Sequence, residues 1–262
     1  MSWFGYPPWA EMWGIAATIF LLCKLATLSG AQGSWWSKFW YVVAWPGMHA
    51  EAFCGETKIA TPTFGELCFA ILKATFGLVL LFLMVPWIGS PLLRGWTGMV
   101  GVIFTLHFGL FHGLSWFWRK IGYNARPLMD WPILATSIAD FWGRRWNTAF
   151  RDLTHRFLFR PLAVRMGARL ALAVGFLISG LVHEVVISIP AGGGFGLPTA
   201  YFVLQGAGLL LERSIPVLKS RWFTILVLLL PAYGLFHPPF VLNVIIPFLN
   251  WLHALTLTIG TW

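Results

Sequence analysis

The chain has 262 residues, of which 58% are hydrophobic and only 10% are charged, and its mean hydropathy is +0.74. A charged fraction this far below the roughly 25% of soluble domains excludes an ordinary soluble fold. The net charge of +9 does not predict a nucleic-acid partner, because basic residues between apolar segments usually face the cytoplasm and anionic lipid. The three cysteines have no metal-ligand spacing, and we predict no metal site.

Apolar segments of about 20 residues recur along nearly the whole chain, which predicts an all-α fold in the form of a polytopic transmembrane helical bundle. We expect about seven or eight spans. The segments that suggest spans are residues 11–29, 66–86, 96–118, 169–190, 198–212, 222–237 and 239–258. No Lys or Arg precedes the first segment, so we expect a true span there and not a signal peptide. Residues 1–262 are expected to form a single integral membrane domain.

The Lys and Arg residues are concentrated in two parts of the chain, which predicts the orientation of the spans. Ten of the 18 lie in segment 119–169, and three more lie in segment 213–221. Because positively charged loops face the cytoplasm, both segments are predicted to be cytoplasmic. The glycine-rich stretch 192–194 lies between them and is predicted to turn the chain from one span into the next.

Residues 141–157 carry large apolar side chains at helical spacing on one face and arginines on the other, which predicts one amphipathic helix. Asp140 stands where a carboxylate would cap its N-terminus. Such a helix is expected to lie in the cytoplasmic membrane interface, and the short apolar piece 128–139 before it to be re-entrant or interfacial.

Two roles are open for this amphipathic helix. It anchors the chain to anionic membrane lipids, or its arginines hold the phosphates of an acyl donor such as acyl-CoA, since guanidinium groups bind phosphate oxygens bidentately. The residues expected to bind such a donor are Trp142, Arg144, Arg145, Trp146 and Arg151.

The apolar segment 169–190 contains His183 and Glu184, roughly 20 Å along a helix from its basic end. A polar side chain at that depth costs a few kcal/mol and usually marks a functional site. Desolvation favours a neutral imidazole, which is the form that accepts a proton. Glu184 points about 100° away from His183, and its partner is open: an arginine from another span, or a proton of its own.

Two motifs stand in this half of the chain. Residues 140–147 read Asp-Phe-Trp-Gly-Arg-Arg-Trp-Asn, and residues 179–184 read Ser-Gly-Leu-Val-His-Glu. Together, in this order, they resemble the membrane-bound O-acyltransferase superfamily in its wax synthase branch. The resemblance covers residues 130–208, and Trp-Pro-Gly-Met at residues 45–48 is a weaker similarity to the same branch.

The resemblance implies an enzyme that transfers a fatty acyl group from acyl-CoA to the hydroxyl of a lipophilic alcohol, with acyl-CoA as co-substrate and no further cofactor. It implies that His183 is the catalytic base and Asn147 its polar partner, supported by Asp140, Ser179 and Glu184. The acceptor is open among fatty alcohols, sterols and terpenoids. A small transporter that uses the buried His–Glu pair is the alternative from another class.

Overall fold

The computed structural model describes residues 5–55 and 59–259. These residues form helices joined by short loops, with no strand among them, which confirms the predicted all-α fold. The helices are α1 (Pro8–Leu28), α2 (Trp35–Ala44), α3 (Ala50–Cys54), α4 (Phe64–Trp87), α5 (Pro91–Lys120), α6 (residues 138–145), α7 (residues 148–166), α8 (Ala168–Ala191), α9 (Leu197–Ser214), α10 (Arg221–Leu235) and α11 (residues 238–259).

Five helices in the described part of the chain are long and apolar enough to cross a membrane, so the protein is an integral membrane protein, as predicted. They are α1, α4, α5, α8 and the stretch Pro238–Thr256 of α11. The predicted spans 198–212 and 222–237 form α9 and the shorter apolar helix α10, which are not among the five. The count of seven or eight therefore stays a prediction.

The spanning helices meet in a central apolar core. Buried side chains of α9 and α11 form its middle, and α1, α4, α5 and α8 pack around them. A second core, separate from the first, joins α2, α3 and α7 to the end of α5 through Tyr41, Phe53, Trp118 and Ala149. The stretch 30–65, which has no periodic pattern in the sequence, thus contributes two short helices to a packed aromatic cluster.

Six wide π-helical turns interrupt the helices of the described chain. They are Leu80–Met84, Phe104–Leu110, Phe141–Arg145, His155–Phe159, Glu184–Ser188 and Val241–Ile245. Such turns are frequent at functional sites because they displace the helix hydrogen-bond ladder. One of them lies inside the first motif, and another follows His183 directly.

The predicted single amphipathic helix over 141–157 is wrong. Helix α6 ends at Arg145, Trp146 is extended, and α7 begins at Thr148. Between them Asn147 adopts a left-handed backbone with φ 43°, and its side chain caps α7. Asparagine tolerates this conformation, and its local hydrogen bond competes with helix continuity.

The predicted capping role of Asp140 is also wrong. Ser137 is the N-cap of the short helix Ile138–Asp140, and its hydroxyl oxygen accepts the backbone N–H of Asp140 at 3.0 Å. The apolar piece 128–139 forms a loop, a tight turn at Pro132–Leu134 and the first turn of α6.

Candidate active site

His183 lies in α8, and one hydrogen bond defines which of its ring nitrogens carries the hydrogen. Its Nδ1 lies 2.7 Å from the backbone carbonyl oxygen of Ser179, one turn earlier. Because a carbonyl oxygen can only accept, Nδ1 donates, and the Nε2 of a neutral imidazole keeps its lone pair. The four-residue spacing from Ser179 to His183 in the second motif therefore presents Nε2 as a proton acceptor.

The glycine of the second motif allows two helices to cross at close range. A Cβ atom on Gly180 would lie 2.8 Å from the Cα of Thr199 in α9, so only glycine fits between α8 and α9. The approach brings the ring of Phe202 against the imidazole of His183, with 4.2 Å between the ring centroids.

Glu184 caps the N-terminus of α9. Its carboxylate accepts the backbone N–H of Gly196 at 2.8 Å and both the N–H and the hydroxyl of Thr199 at 3.3 and 2.8 Å. No arginine of the described residues forms an ion pair with it, so the first of the two open alternatives is wrong. A carboxylate at a helix N-terminus is also stabilised by the positive end of the helix dipole.

The turn that Glu184 holds is the predicted glycine-rich connection. Gly192, Gly194 and Gly196 all have positive φ values, of 64°, 74° and 85°. The chain leaves α8 and enters α9 through these left-handed residues, which confirms the predicted turn.

Asp140 is the centre of an ion-pair cluster in the first motif. Its side chain is 3% exposed and accepts from the guanidinium groups of Arg144 and Arg145, both at 2.7 Å. It also accepts the backbone N–H of Thr136 at 3.2 Å. Burial raises the pKa of Asp140, but Arg145, the Thr136 N–H and Arg144 together outweigh burial and hold that pKa below its usual range.

The two arginines of the motif differ in how fully they are engaged. Arg145 also donates through Nη1 to the carbonyl oxygens of Asp130 and Trp131, at 3.2 and 3.3 Å, which ties the preceding loop to α6. Its side chain is 21% exposed, whereas that of Arg144 is 72% exposed and has its ion pair with Asp140 alone. Arg144 therefore retains free donors, and Arg145 has a structural role.

A cavity of about 910 Å³ opens beside the first motif, and we name it the basic cavity for the three arginines in its lining. Its walls are the stretch 45–52, the loop 124–130 and α7, and its arginines are Arg126, Arg144 and Arg151. Of the residues predicted to bind the acyl donor, Arg144 and Arg151 line this cavity; Arg145, Trp142 and Trp146 are not in its lining. Glu51, Asp130 and Asp152 also line it, so three carboxylates face the three arginines, and Arg151 forms an ion pair with Asp152.

A smaller cavity of about 350 Å³ adjoins the first and shares Met48, His49, Glu51 and Asp152 with it. Arg156 and Arg160 of α7 extend the basic surface there. Arg156 is one of the arginines of segment 141–157, whereas Arg126 and Arg160 were not predicted from the sequence as candidates. The weak similarity of residues 45–48 was the signal that could have placed the 45–52 stretch at the site.

Lys24 is a further residue that sequence analysis did not connect to the site. It is fully buried in α1, and its Nζ donates to the carbonyl oxygen of Gly47 at 2.6 Å. Its Nζ also lies 3.2 Å from the centre of the Tyr41 ring. The first spanning helix thereby holds the wall of the basic cavity in place.

Trp142 of the first motif contacts the helix that packs against the second motif. Its ring packs against Phe202, 5.7 Å between centroids, and its indole N–H donates to Gln205 Oε1 at 3.3 Å. In the part of the chain that the structure describes, no hydrogen bond joins Asn147 to His183; Trp142 and Phe202 connect their surroundings. Trp146 stacks on Phe141, with centroids 5.5 Å apart, and packs beside α5.

The region that carries both motifs is similar to known proteins. Residues 125–204 match the model of the membrane bound O-acyl transferase family. This region, about a third of the chain, is similar to that family. The matched relatives are wax synthase-like enzymes, which confirms the resemblance found in the two motifs.

Three curated relatives illustrate the extent of the similarity. A long-chain-alcohol O-fatty-acyltransferase of Simmondsia chinensis is 40% identical over 73 residues, which are 25% of this chain and 21% of the relative. Two probable long-chain-alcohol O-fatty-acyltransferases of Arabidopsis thaliana, numbers 8 and 7, are 33% and 32% identical over 111 and 143 residues. These stretches are 39% and 47% of this chain, and 33% and 42% of the relatives. The chain thus spans less than half the length of these relatives.

Proposed function

We propose that this protein transfers a fatty acyl group from acyl-CoA to the hydroxyl of a lipophilic alcohol within the membrane. The single observation that carries the proposal is the hydrogen bond from Nδ1 of His183 to the carbonyl of Ser179, which leaves Nε2 as a base in a spanning helix. The names of the matched relatives support the reaction class.

The proposed step is a direct transfer without an acyl-enzyme. Nε2 of His183 takes the hydroxyl proton while the alcohol oxygen attacks the thioester carbonyl carbon. A carbon–oxygen bond forms, the carbon–sulfur bond breaks, and the CoA thiolate that leaves takes the proton from the imidazolium. General base catalysis of this kind contributes about 10² to 10⁴ in rate.

Asn147 is the proposed partner of His183 in this step. Its Oδ1 is used in capping α7, which leaves the Nδ2 amide hydrogens as donors. A donor aimed at the thioester carbonyl oxygen stabilises the negative charge that develops there, an effect of about 10² to 10³ in rate for one donor in other enzymes. Because Asn147 and His183 share no hydrogen bond, the substrate would lie between them.

The basic cavity is the proposed site for the phosphates of acyl-CoA. Arg126, Arg144 and Arg151 line it from three different elements, and guanidinium groups bind phosphate oxygens strongly. We place this cavity and the basic segments 119–169 and 213–221 at the cytoplasmic face, where acyl-CoA is soluble and where loops of this charge lie. α6 and α7 would then contact membrane lipids at that interface.

The acceptor proposed first is a long-chain alcohol, because the matched relatives are named for it. Sterols and terpenoid alcohols are the other acceptors to test. The transporter alternative has no support from the comparisons, whose matches are acyltransferases.

The test is an assay of the purified protein in detergent micelles and in lipid nanodiscs. Acyl-CoA of several chain lengths is supplied with a fatty alcohol, a sterol or a terpenoid alcohol, and thiol release and ester formation are both measured. His183→Gln should lower both by at least about 10²-fold. His253→Gln is the matched control, since His253 is also a histidine of a spanning helix bonded to a backbone carbonyl, that of Leu81 at 2.8 Å.

Two results would contradict the proposal. Wild-type protein that forms no ester with any acceptor excludes the activity, and accumulation of solute in vesicles would then favour a transporter. Folded His183→Gln protein with undiminished activity excludes His183 as the base.

A further inference from the structure

Helix α9 carries no residue of either motif, yet one of its faces contacts both motifs. Phe202, Gln205, Leu209 and Glu212 recur every three or four residues and lie within about 80° of one another around the helix axis. Phe202 packs on His183 and on Trp142, and Gln205 bonds Trp142. Leu209 is buried with Ile138, the first residue of α6.

Glu212 is the last residue of this face, and it bonds the backbone of α6 twice. One carboxylate oxygen accepts the backbone N–H of Ile138 and the other that of Ala139, each at 2.8 Å. Glu212 is 4% exposed, and no Lys, Arg or His among the residues described forms an ion pair with it. The negative charge of Glu212 is stabilised by the N-terminus of α6, which is the positive end of the helix dipole.

A carboxylate is the side chain that satisfies this position best. Two adjacent N–H groups point the same way at the start of a helix and have no partner within the helix. The two oxygens of one carboxylate accept both, whereas an amide side chain has one acceptor and places donors against the second N–H. Burying a charge costs free energy, so a carboxylate at this position is better explained by the fixed position it gives to α6 than by a gain in stability.

The other end of α9 is held in the same manner from the opposite side. Glu184, directly after His183, caps the N-terminus of α9, while Glu212 near its C-terminal end caps α6. α9 is thus bonded to the second motif at its N-terminal end, and its face from Phe202 to Glu212 contacts α6.

We propose that Glu212 is a positioning residue of the acyl transfer: by clamping the first turn of α6 to α9, it holds Trp142 and Asn147 at a working distance from His183. This proposal rests on the proposed function. Glu212 touches neither substrate in this scheme; it acts through α6.

The test is Glu212→Gln, which keeps the size of the side chain and removes one acceptor. We expect kcat to fall by about 10 to 100-fold, the effect of a displacement near 1 Å on a positioned group. KM for acyl-CoA should change by less than about threefold, because Arg126 and Arg151 lie outside α6. Arg144 is the cavity arginine that α6 carries, and its long side chain, 72% exposed, can follow a shift of about 1 Å. Hydrogen–deuterium exchange should rise in peptides that cover residues 136–146.

Ser214→Ala is the matched control on the same turn of α9. Ser214 is exposed, and its hydroxyl donates only to Leu210 within the helix. This variant should match the wild type in kcat and in exchange. Gln205→Met is the second variant, because it removes the other polar link from α9 to α6 without removing a charge; it should lower kcat in the same direction and leave KM for acyl-CoA unchanged.

Each outcome decides the proposal. Folded Glu212→Gln protein with a kcat within about twofold of wild type overturns it, and so does a fall in kcat without faster exchange at residues 136–146. If wild-type protein shows no acyl transfer at all, the proposed function fails, and the positioning role fails with it. Exchange at residues 136–146 in Glu212→Gln then still reports separately whether the clamp itself exists.

Discussion

The side-chain Oδ1 of Asn147 accepts the backbone N–H of Phe150 at 3.2 Å, while the backbone of Asn147 is left-handed with φ 43°. The residue therefore has a folding role, as the N-cap of α7, in addition to the catalytic role proposed for its amide. Substitutions at this position separate the two roles.

Asn147→Asp should keep the fold and lose the activity. Aspartate tolerates the left-handed backbone and caps helices as well as asparagine does, but an ionised carboxylate has no hydrogen to donate. We expect a thermal midpoint close to wild type and a kcat about 10²-fold lower. Asn147→Ala should instead lower the free energy of unfolding by about 2 kcal/mol, because it loses the cap and strains the backbone. Equal activity of Asn147→Asp and wild type would exclude the amide as a donor.

Alanine substitution of the two motif arginines should affect different properties, KM for acyl-CoA at Arg144 and stability at Arg145. Arg144 is 72% exposed and lines the basic cavity, so Arg144→Ala should raise KM for acyl-CoA about tenfold with little change in stability. Arg145 is 21% exposed and joins Asp140 to two loop carbonyls, so Arg145→Ala should lower the free energy of unfolding by about 2 to 3 kcal/mol. Thermal unfolding and acyl-CoA titrations measure the two effects, and a reversed pattern would refute this division.

Asp140 should make the stability of the protein sensitive to acid. Its ordinary pKa is 3.8, and although burial opposes ionisation, Arg145, the Thr136 N–H and Arg144 lower the pKa in the folded state. The fold therefore favours the charged form, and the stability it supplies is present above pH 4 and is lost as pH falls through the lowered pKa. Asp140→Asn should be less stable than wild type at pH 7, and the difference should shrink below pH 4. A difference independent of pH would show that the carboxylate charge is unimportant.

The elements with strong sequence signals were predicted well. Long apolar stretches indicated the spanning helices, because a backbone in hydrocarbon must satisfy its hydrogen bonds within each segment. The glycine-rich stretch indicated the turn after α8. The position of His183 inside the apolar segment 169–190 indicated a histidine within a spanning helix, where the structure has it. These signals are local: length, periodicity and residue type carry them.

The first motif shows where local signals are insufficient. The apolar spacing of residues 141–157 suits one helix. The helix is interrupted at Asn147, because its side-chain oxygen accepts the backbone N–H of Phe150 and caps a new helix. The role of Arg145 was likewise hidden, since Arg144 and Arg145 are adjacent and chemically identical in the sequence. Only their exposure and their partners distinguish a structural arginine from one that lines the cavity.

What the sequence determined by itself is therefore the membrane, the helices and the imidazole of His183 as the group most suited to act as a base. The tertiary structure decided which groups surround it: Phe202 against its ring, Glu184 and Glu212 at the ends of α9, and the stretch 45–52 beside the basic cavity. The physical reason is that these contacts join residues far apart in the chain. Hydrophobic periodicity reports which face of a helix is buried, but not which side chain of another helix lies against it.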